Sequence, residues 1–172
     1  MSMHQINGVY IADTARVLGQ VELAENVSIW YGVTIRADFA KICIGEGTNV
    51  QDNAVIHCDH ELDHFIGRRV TIAHGAIVHG QYVGDDTLIG MNATILNRSR
   101  IGRGCVIGAE AVVTPDMEVP DGMAVLGVPG RIVRPTNEDE KRFIQRASTQ
   151  YIKWAKRYTE NPDDPCIRAW SV

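Results

Sequence analysis

The sequence is short of leucine, of cysteine pairs and of excess positive charge. Leucine occurs 6 times, against 36 isoleucines and valines together. Helical proteins draw on Leu and Ala, whereas β-branched side chains suit a pleated surface, so an all-helical bundle is disfavoured. The four cysteines, Cys43, Cys58, Cys105 and Cys166, form no C-x-x-C pair. That argues against a cysteine zinc ribbon or a redox motif. Cys43 and Cys105 read as buried packing residues. Lys plus Arg number 17 and Asp plus Glu 21, a net charge of −4, so no nucleic-acid partner is expected. No apolar run reaches the ~18 residues of a membrane span. Residues 1–8 lack a basic start followed by an apolar stretch, so no secretory signal is expected. A cytoplasmic protein with reduced thiols is the resulting expectation. At 172 residues the chain suffices for one domain of ordinary size.

What is present is a repeat. Isoleucine or valine recurs every six residues at 21, 27 and 33, at 44, 50 and 56, and at 66, 72 and 78. The series continues without a break from Val83 through Ile89, Ile95, Ile101, Ile107, Val113 and Val119 to Val125. Glycine follows the branched residue at 45, 67, 84, 90, 102 and 108, which reads as backbone freedom at tight corners. A small or β-branched residue stands four places on, as at Thr48, Ala54, Ala76 and Cys105. A period of six matches neither a helix nor a hairpin ladder. It matches a parallel β-helix, an all-β solenoid in which short strands wind around one apolar core. We assign residues 1–134 to this solenoid. Residues 135–160 read as a C-terminal α-helix packed on it, with Asn137 and Glu140 at capping-box spacing. Its apolar face is Phe143, Ile144, Ala147, Tyr151, Trp154, Ala155 and Tyr158. Residues 161–172 read as an irregular tail.

Three histidines stand inside the repeat, where small residues are usual. Three strands make one triangular coil, so His57 after Ile56 and His79 after Val78 occupy equivalent places on adjacent coils. They are separated by about one strand spacing, ~4.8 Å, and can converge on one metal. His74 belongs to a neighbouring face and points elsewhere. A second chain resolves this: three prisms around a threefold axis bring His74 of one chain to His57 and His79 of the next. Three histidines with an open fourth position make a catalytic zinc arrangement. Arg36, Asp38, Gln51 and Asp52 cluster just before. They read either as a solvated face or as groups that tie chains together and orient ligands. His60 and His64, in the insertion after Ile56, are expected in solvent, and His4 lies near the terminus.

The segments S-I-W-Y-G-V-T-I-R-A-D (28–38), I-G-E-G-T-N-V-Q-D-N-A-V-I-H (44–57), A-H-G-A-I-V-H-G (73–80) and G-V-P-G-R-I-V-R (127–134) resemble the γ-class carbonic anhydrase family. The resemblance implies a left-handed parallel β-helix, a homotrimer and metals between subunits. It implies zinc, with iron or cobalt as alternatives, on His57, His74 and His79. It puts Arg36 and Asp38 in an intersubunit ion pair, Gln51 on the metal-bound water, and Asp52 at the interface. The implied reaction is reversible hydration of CO2 to bicarbonate. Two positions depart from the pattern. Phe39 stands where the archetype has a glutamate. The archetype's long acidic loop, with its proton-shuttling glutamate, shrinks here to Cys58–Phe65, where His60, Glu61 or His64 could substitute. An acyl-CoA thioesterase or hexapeptide acyltransferase is the alternative enzyme, and a metal-binding trimer without turnover is the third reading.

Overall fold

The computed structural model describes residues 2–161 and 164–167. Of the predicted tail, 162–163 and 168–172 lie outside these. The chain opens with β1 (Met3–Ile6), β2 (Val9–Ala12), β3 (Arg16–Leu23), β4 (Ser28–Ile29) and β5 (Thr34–Ile44). Short strands follow: β6 (Asn49–Val50), β7 (Val55–His57), β8 (His64–Ile66), β9 (Thr71–Ile72), β10 (Ile77–Val78), β11 (Tyr82–Val83) and β12 (Leu88–Ile89). Next come β13 (Thr94–Ile95), β14 (Arg100–Ile101), β15 (Val106–Ile107), β16 (Val112–Val113) and β17 (Glu118–Val119). A hairpin, β18 (Met123–Leu126) and β19 (Arg131–Pro135), leads into α1 (Glu138–Glu160).

Every third strand stacks in parallel, which makes the chain a three-faced parallel β-helix. The first face runs β2, β4, β6, β9, β12, β15, β18. The second is the N-terminal part of β5 followed by β7, β10, β13 and β16. The third is the C-terminal part of β5 followed by β8, β11, β14 and β17. The eleven residues of β5 therefore turn one corner and serve two faces.

The repeat positions line the lumen: all are buried except Val21, which is half-buried. Pairing corrects the register of the first block. Ile29 lies against Val50 and Ile35 against Ile56. Val27 and Val33 thus sit at the corner positions that Thr48 and Ala54 hold one coil later. The reason is the extra chain in β5: Ile35 and Ile44 are nine residues apart, which hides the true phase. The glycines after the branched residues also have a different cause. Their φ angles are not positive. A Cβ on Gly84 or Gly90 would stand 2.6 Å from the backbone nitrogen of Arg103 or Ala109 in the next coil. Close approach of stacked backbones is what excludes a side chain there.

Two further expectations are corrected. Cys43 is half-buried, because strand alternation sends Ile42 and Ile44 inward and Cys43 outward. Cys58 and Cys105 are the fully buried thiols. On α1, Asn137 caps the helix and Glu140 returns the bond, a complete capping box. Ile144, Ser148 and Ala155 are its buried contacts, and Ser148 Oγ donates to the Gly47 carbonyl at 2.8 Å. Phe143, expected on the covered face, is 56% exposed. Among the described residues no helix is long and apolar enough to cross a membrane.

Candidate metal centre

The second face places the candidate residues at its two ends. At the end shared with the third face, Arg36 lies opposite His57 in the β5–β7 ladder. His79 stacks one coil further, with the His57 and His79 rings 5.0 Å apart and edge-to-face. At the end shared with the first face, Val50 pairs with Ile72, which sets Gln51 and Asp52 beside Ala73 and His74. Gly75, φ +70°, makes the corner after His74, and a Cβ there would meet Asn92 Oδ1 at 2.3 Å. The structure thus brings His57 and His79 together and leaves His74 at the opposite end of β10. Among the described residues, no three His, Cys, Asp or Glu groups gather where one chain alone could hold a metal.

Each end has its own hydrogen-bond network. Asp38 pairs with Arg36 through one oxygen and with Nε2 of His57 through the other, at 3.0 Å. Burial acts to raise the Asp38 carboxyl, but hydrogen bonds from His57, the local backbone and Arg36 outweigh it and hold it low. His57 is nearly covered, at 15% side-chain exposure. Phe39 packs on His57 with ring centres 5.6 Å apart and lies 5.8 Å from His60. It thus supplies an apolar wall beside both imidazoles. At the other end, Asp52 Oδ2 is 2.9 Å from Nδ1 of His74. Gln51 is buried, its Nε2 donating to Asn49 Oδ1 at 3.0 Å, and Asn49 in turn donates to Thr71.

The insertion departs from expectation. His60 is exposed, but His64 is fully buried. The cause is strand alternation: the last residues of the insertion join the third face as β8, which turns His64 and Ile66 inward and Phe65 outward. His64 Nδ1 donates to the His57 carbonyl at 3.3 Å, and burial pushes its pKa down to about 4. One residue was missed altogether. Asp59, two places after His57, reaches across to His79, with Oδ1 3.0 Å from Nε2. Its position depends on how the insertion folds back, which no spacing rule announces.

A groove of about 990 Å³ lies between α1 and the first face, lined by Gln51, His74, Met91, Val106, Phe143 and Trp154 among others. Beside it Trp30, Tyr31, Tyr151 and Tyr158 form an edge-to-face and tilted aromatic cluster. Burial there pushes the Tyr31 hydroxyl up to about 12.

Comparison with known proteins now bears on this geometry. The family described as bacterial transferase hexapeptide (six repeats) matches residues 82–115. A Methanocaldococcus jannaschii protein named "Probable carbonic anhydrase" is 46% identical over 84% of this chain and 91% of its own. The chain belongs to the γ-class carbonic anhydrase family. Gamma carbonic anhydrase 2 of Arabidopsis thaliana mitochondria is 33% identical over 86% of the chain, which spans 55% of that longer relative. A solved hexapeptide transferase family protein from Anaplasma phagocytophilum superposes with a TM-score of 0.84. It is 34% identical and covers 89% of this chain and 90% of its own. These likenesses extend over most of the chain.

Proposed function

We propose that this protein reversibly hydrates CO2 to bicarbonate at a divalent metal held between copies of the chain in a homotrimer. His57 and His79 of one chain and His74 of the next are the ligands. Zinc is the first choice, with iron or cobalt as alternatives. The supporting observation is the division of the site: two carboxylate-held histidines at one end of the second face, and the third at the other. Side-by-side prisms present one end to the other, a head-to-tail contact that closes into a ring. The donor set fits, since neutral imidazoles are the usual ligands of catalytic zinc. A bound metal of this kind makes water acidic enough to supply hydroxide near neutral pH.

The chain's own groups do the rest. Gln51 commits Nε2 to Asn49, so Oε1 is the atom left to accept a hydrogen bond from the reacting hydroxyl. Arg36 and Asp38 neutralise one another beside His57 and give adjoining chains a charged contact. Phe39 keeps one side of the centre apolar, which suits a nonpolar gas and disfavours water. The Cys58–Phe65 segment carries the acidic and imidazole groups through which a proton can leave.

Complementation tests this reading. His57→Ala and His74→Ala homomers should each lose metal and CO2 hydration. Trimers assembled from an equal mixture regain intact interfaces wherever the His57→Ala chain supplies His74 to the other chain. About a quarter of wild-type activity should return. No recovery, with mixed trimers demonstrated by mass, sinks the intersubunit site.

A second reading is favoured by the groove. Its apolar walls beside Gln51 and His74 suit an acyl chain, with acyl-CoA as the substrate class and thioester hydrolysis or acyl transfer as the reaction. Metal-loaded protein that releases CoA from acyl-CoA and leaves CO2 untouched establishes that reading instead. Metal-loaded trimer inert in both assays leaves a binding protein.

A further inference from the structure

The three candidate histidines share a feature that the ligand assignment does not use. Each carries a carboxylate at one ring nitrogen. The pairs are Asp38 with Nε2 of His57 at 3.0 Å, Asp52 with Nδ1 of His74 at 2.9 Å, and Asp59 with Nε2 of His79 at 3.0 Å. A metal-bound histidine usually gives its second ring N–H to such an acceptor, which fixes its tautomer and aim and raises its basicity. We propose that Asp59 is the positioning residue for His79, completing a set of one carboxylate per ligand. The inference rests on the metal reading above.

The placement of Asp59 is built rather than incidental. The short segment that carries it is tied down on both sides. Cys58 Sγ donates to the Ala40 carbonyl at 3.2 Å just before it. Asp63 Oδ1 accepts from the Lys41 amide at 3.1 Å just after it. His64 then returns to the His57 carbonyl, at the cost of burying Nε2 without a hydrogen-bond partner. Within the segment, the Asp59 carbonyl accepts from the Leu62 amide at 3.4 Å, closing a turn. These ties fix the backbone of Asp59 over His79. The carboxylate is 26% exposed and the His79 side chain 30%, so water competes only partly for the bond.

Metal affinity is the measurement, made on the full-length chain after stripping, by competition with a chromophoric chelator for Zn²⁺ and Co²⁺. Asp59→Ala should bind about 10–100-fold more weakly than wild type. Asp59→Asn keeps an acceptor without the charge and should fall between. Asp121→Ala removes a carboxylate on distant coils and should leave affinity unchanged. The melting temperature of metal-free Asp59→Ala should match wild type, while its rise on adding metal shrinks. The visible bands of the Co²⁺ protein should shift with Asp59→Ala. Wild-type affinity in Asp59→Ala, or in Asp59→Asn where the alanine variant does not fold, overturns the role of Asp59 alone. Absence of metal binding by wild type, or undiminished binding by His79→Ala, overturns the metal reading itself.

Discussion

The upper coils, from Thr34 to Val78, and the lower coils, from Tyr82 to Val125, share a backbone and differ in what they carry. Pairing makes His74 equivalent to Met91 and Ala109, through Ile72, Ile89 and Ile107. It likewise makes His57 and His79 equivalent to Leu96 and Thr114, through Ile56, Val78, Ile95 and Val113. The upper coils are interrupted twice, in β5 and at Cys58–Asp63, and the lower coils not at all. The family model matches the lower region. Regular repetition specifies the coil, and the candidate site occupies corners where an outward residue is free to vary because the lumen is already filled by its neighbours.

The largest expected effect separates the two regions by function. His57→Ala or His74→Ala should reduce CO2 hydration, measured by stopped flow, to the uncatalysed background with the fold intact by circular dichroism. Met91→Ala, the lower-coil equivalent of the latter, should retain metal binding. A lower-coil substitution that abolished metal binding without unfolding would erase the distinction.

The second compares cores. Ile56 and Ile95 are both fully buried on the second face, and replacing either by alanine should cost about 2–5 kcal/mol in urea unfolding. Activity per folded molecule should survive Ile95→Ala. It should drop in Ile56→Ala, because the cavity lies directly before His57.

The third concerns acid. His64 stays neutral in the fold down to a pKa of about 4, against 6.5 for an imidazole in water. As pH falls below 6.5 the unfolded chain takes up a proton that the folded chain refuses. Metal-free stability should therefore decline from pH 6.5 to about 4, by about 3 kcal/mol in total. His64→Leu should remove that part of the slope, and an unchanged slope would contradict the burial of His64. The lower coils contain no histidine and contribute nothing to it.

The smallest effect should be equal at the seam between the two regions and inside the lower coils. Arg68–Asp85 and Arg103–Asp121 have the same geometry, with an arginine amide to Oδ1 at 2.8 Å and Nη2 to Oδ2 at 3.1 Å. Both lie at the surface, with Asp85 half-buried, so a double-mutant cycle on each should give less than about 1 kcal/mol. A large difference would mean that the upper ion pair does more than staple adjacent coils.

The hexad and the helix cap were legible in the sequence because each follows a fixed short spacing, and counting coils put His57 and His79 on adjacent turns. Ile72, Ile89 and Ile107 line the lumen because periodicity alone puts them there. Asn137 caps α1 because its bond to Glu140 is local. Whatever depended on an irregular segment was not legible. The nine-residue step in β5 shifted the phase of Val27 and Val33. The insertion concealed that His64 turns into the lumen and that Asp59 reaches His79.

The sequence by itself thus determined the coil, its core and the types of group available for chemistry, because hydrophobic burial acts through local period. Only the tertiary structure decided which partners those groups take. It brings Asp38 to His57, Asp52 to His74 and Asp59 to His79. Those are contacts between successive coils, fixed by where insertions let the chain return to its own stack.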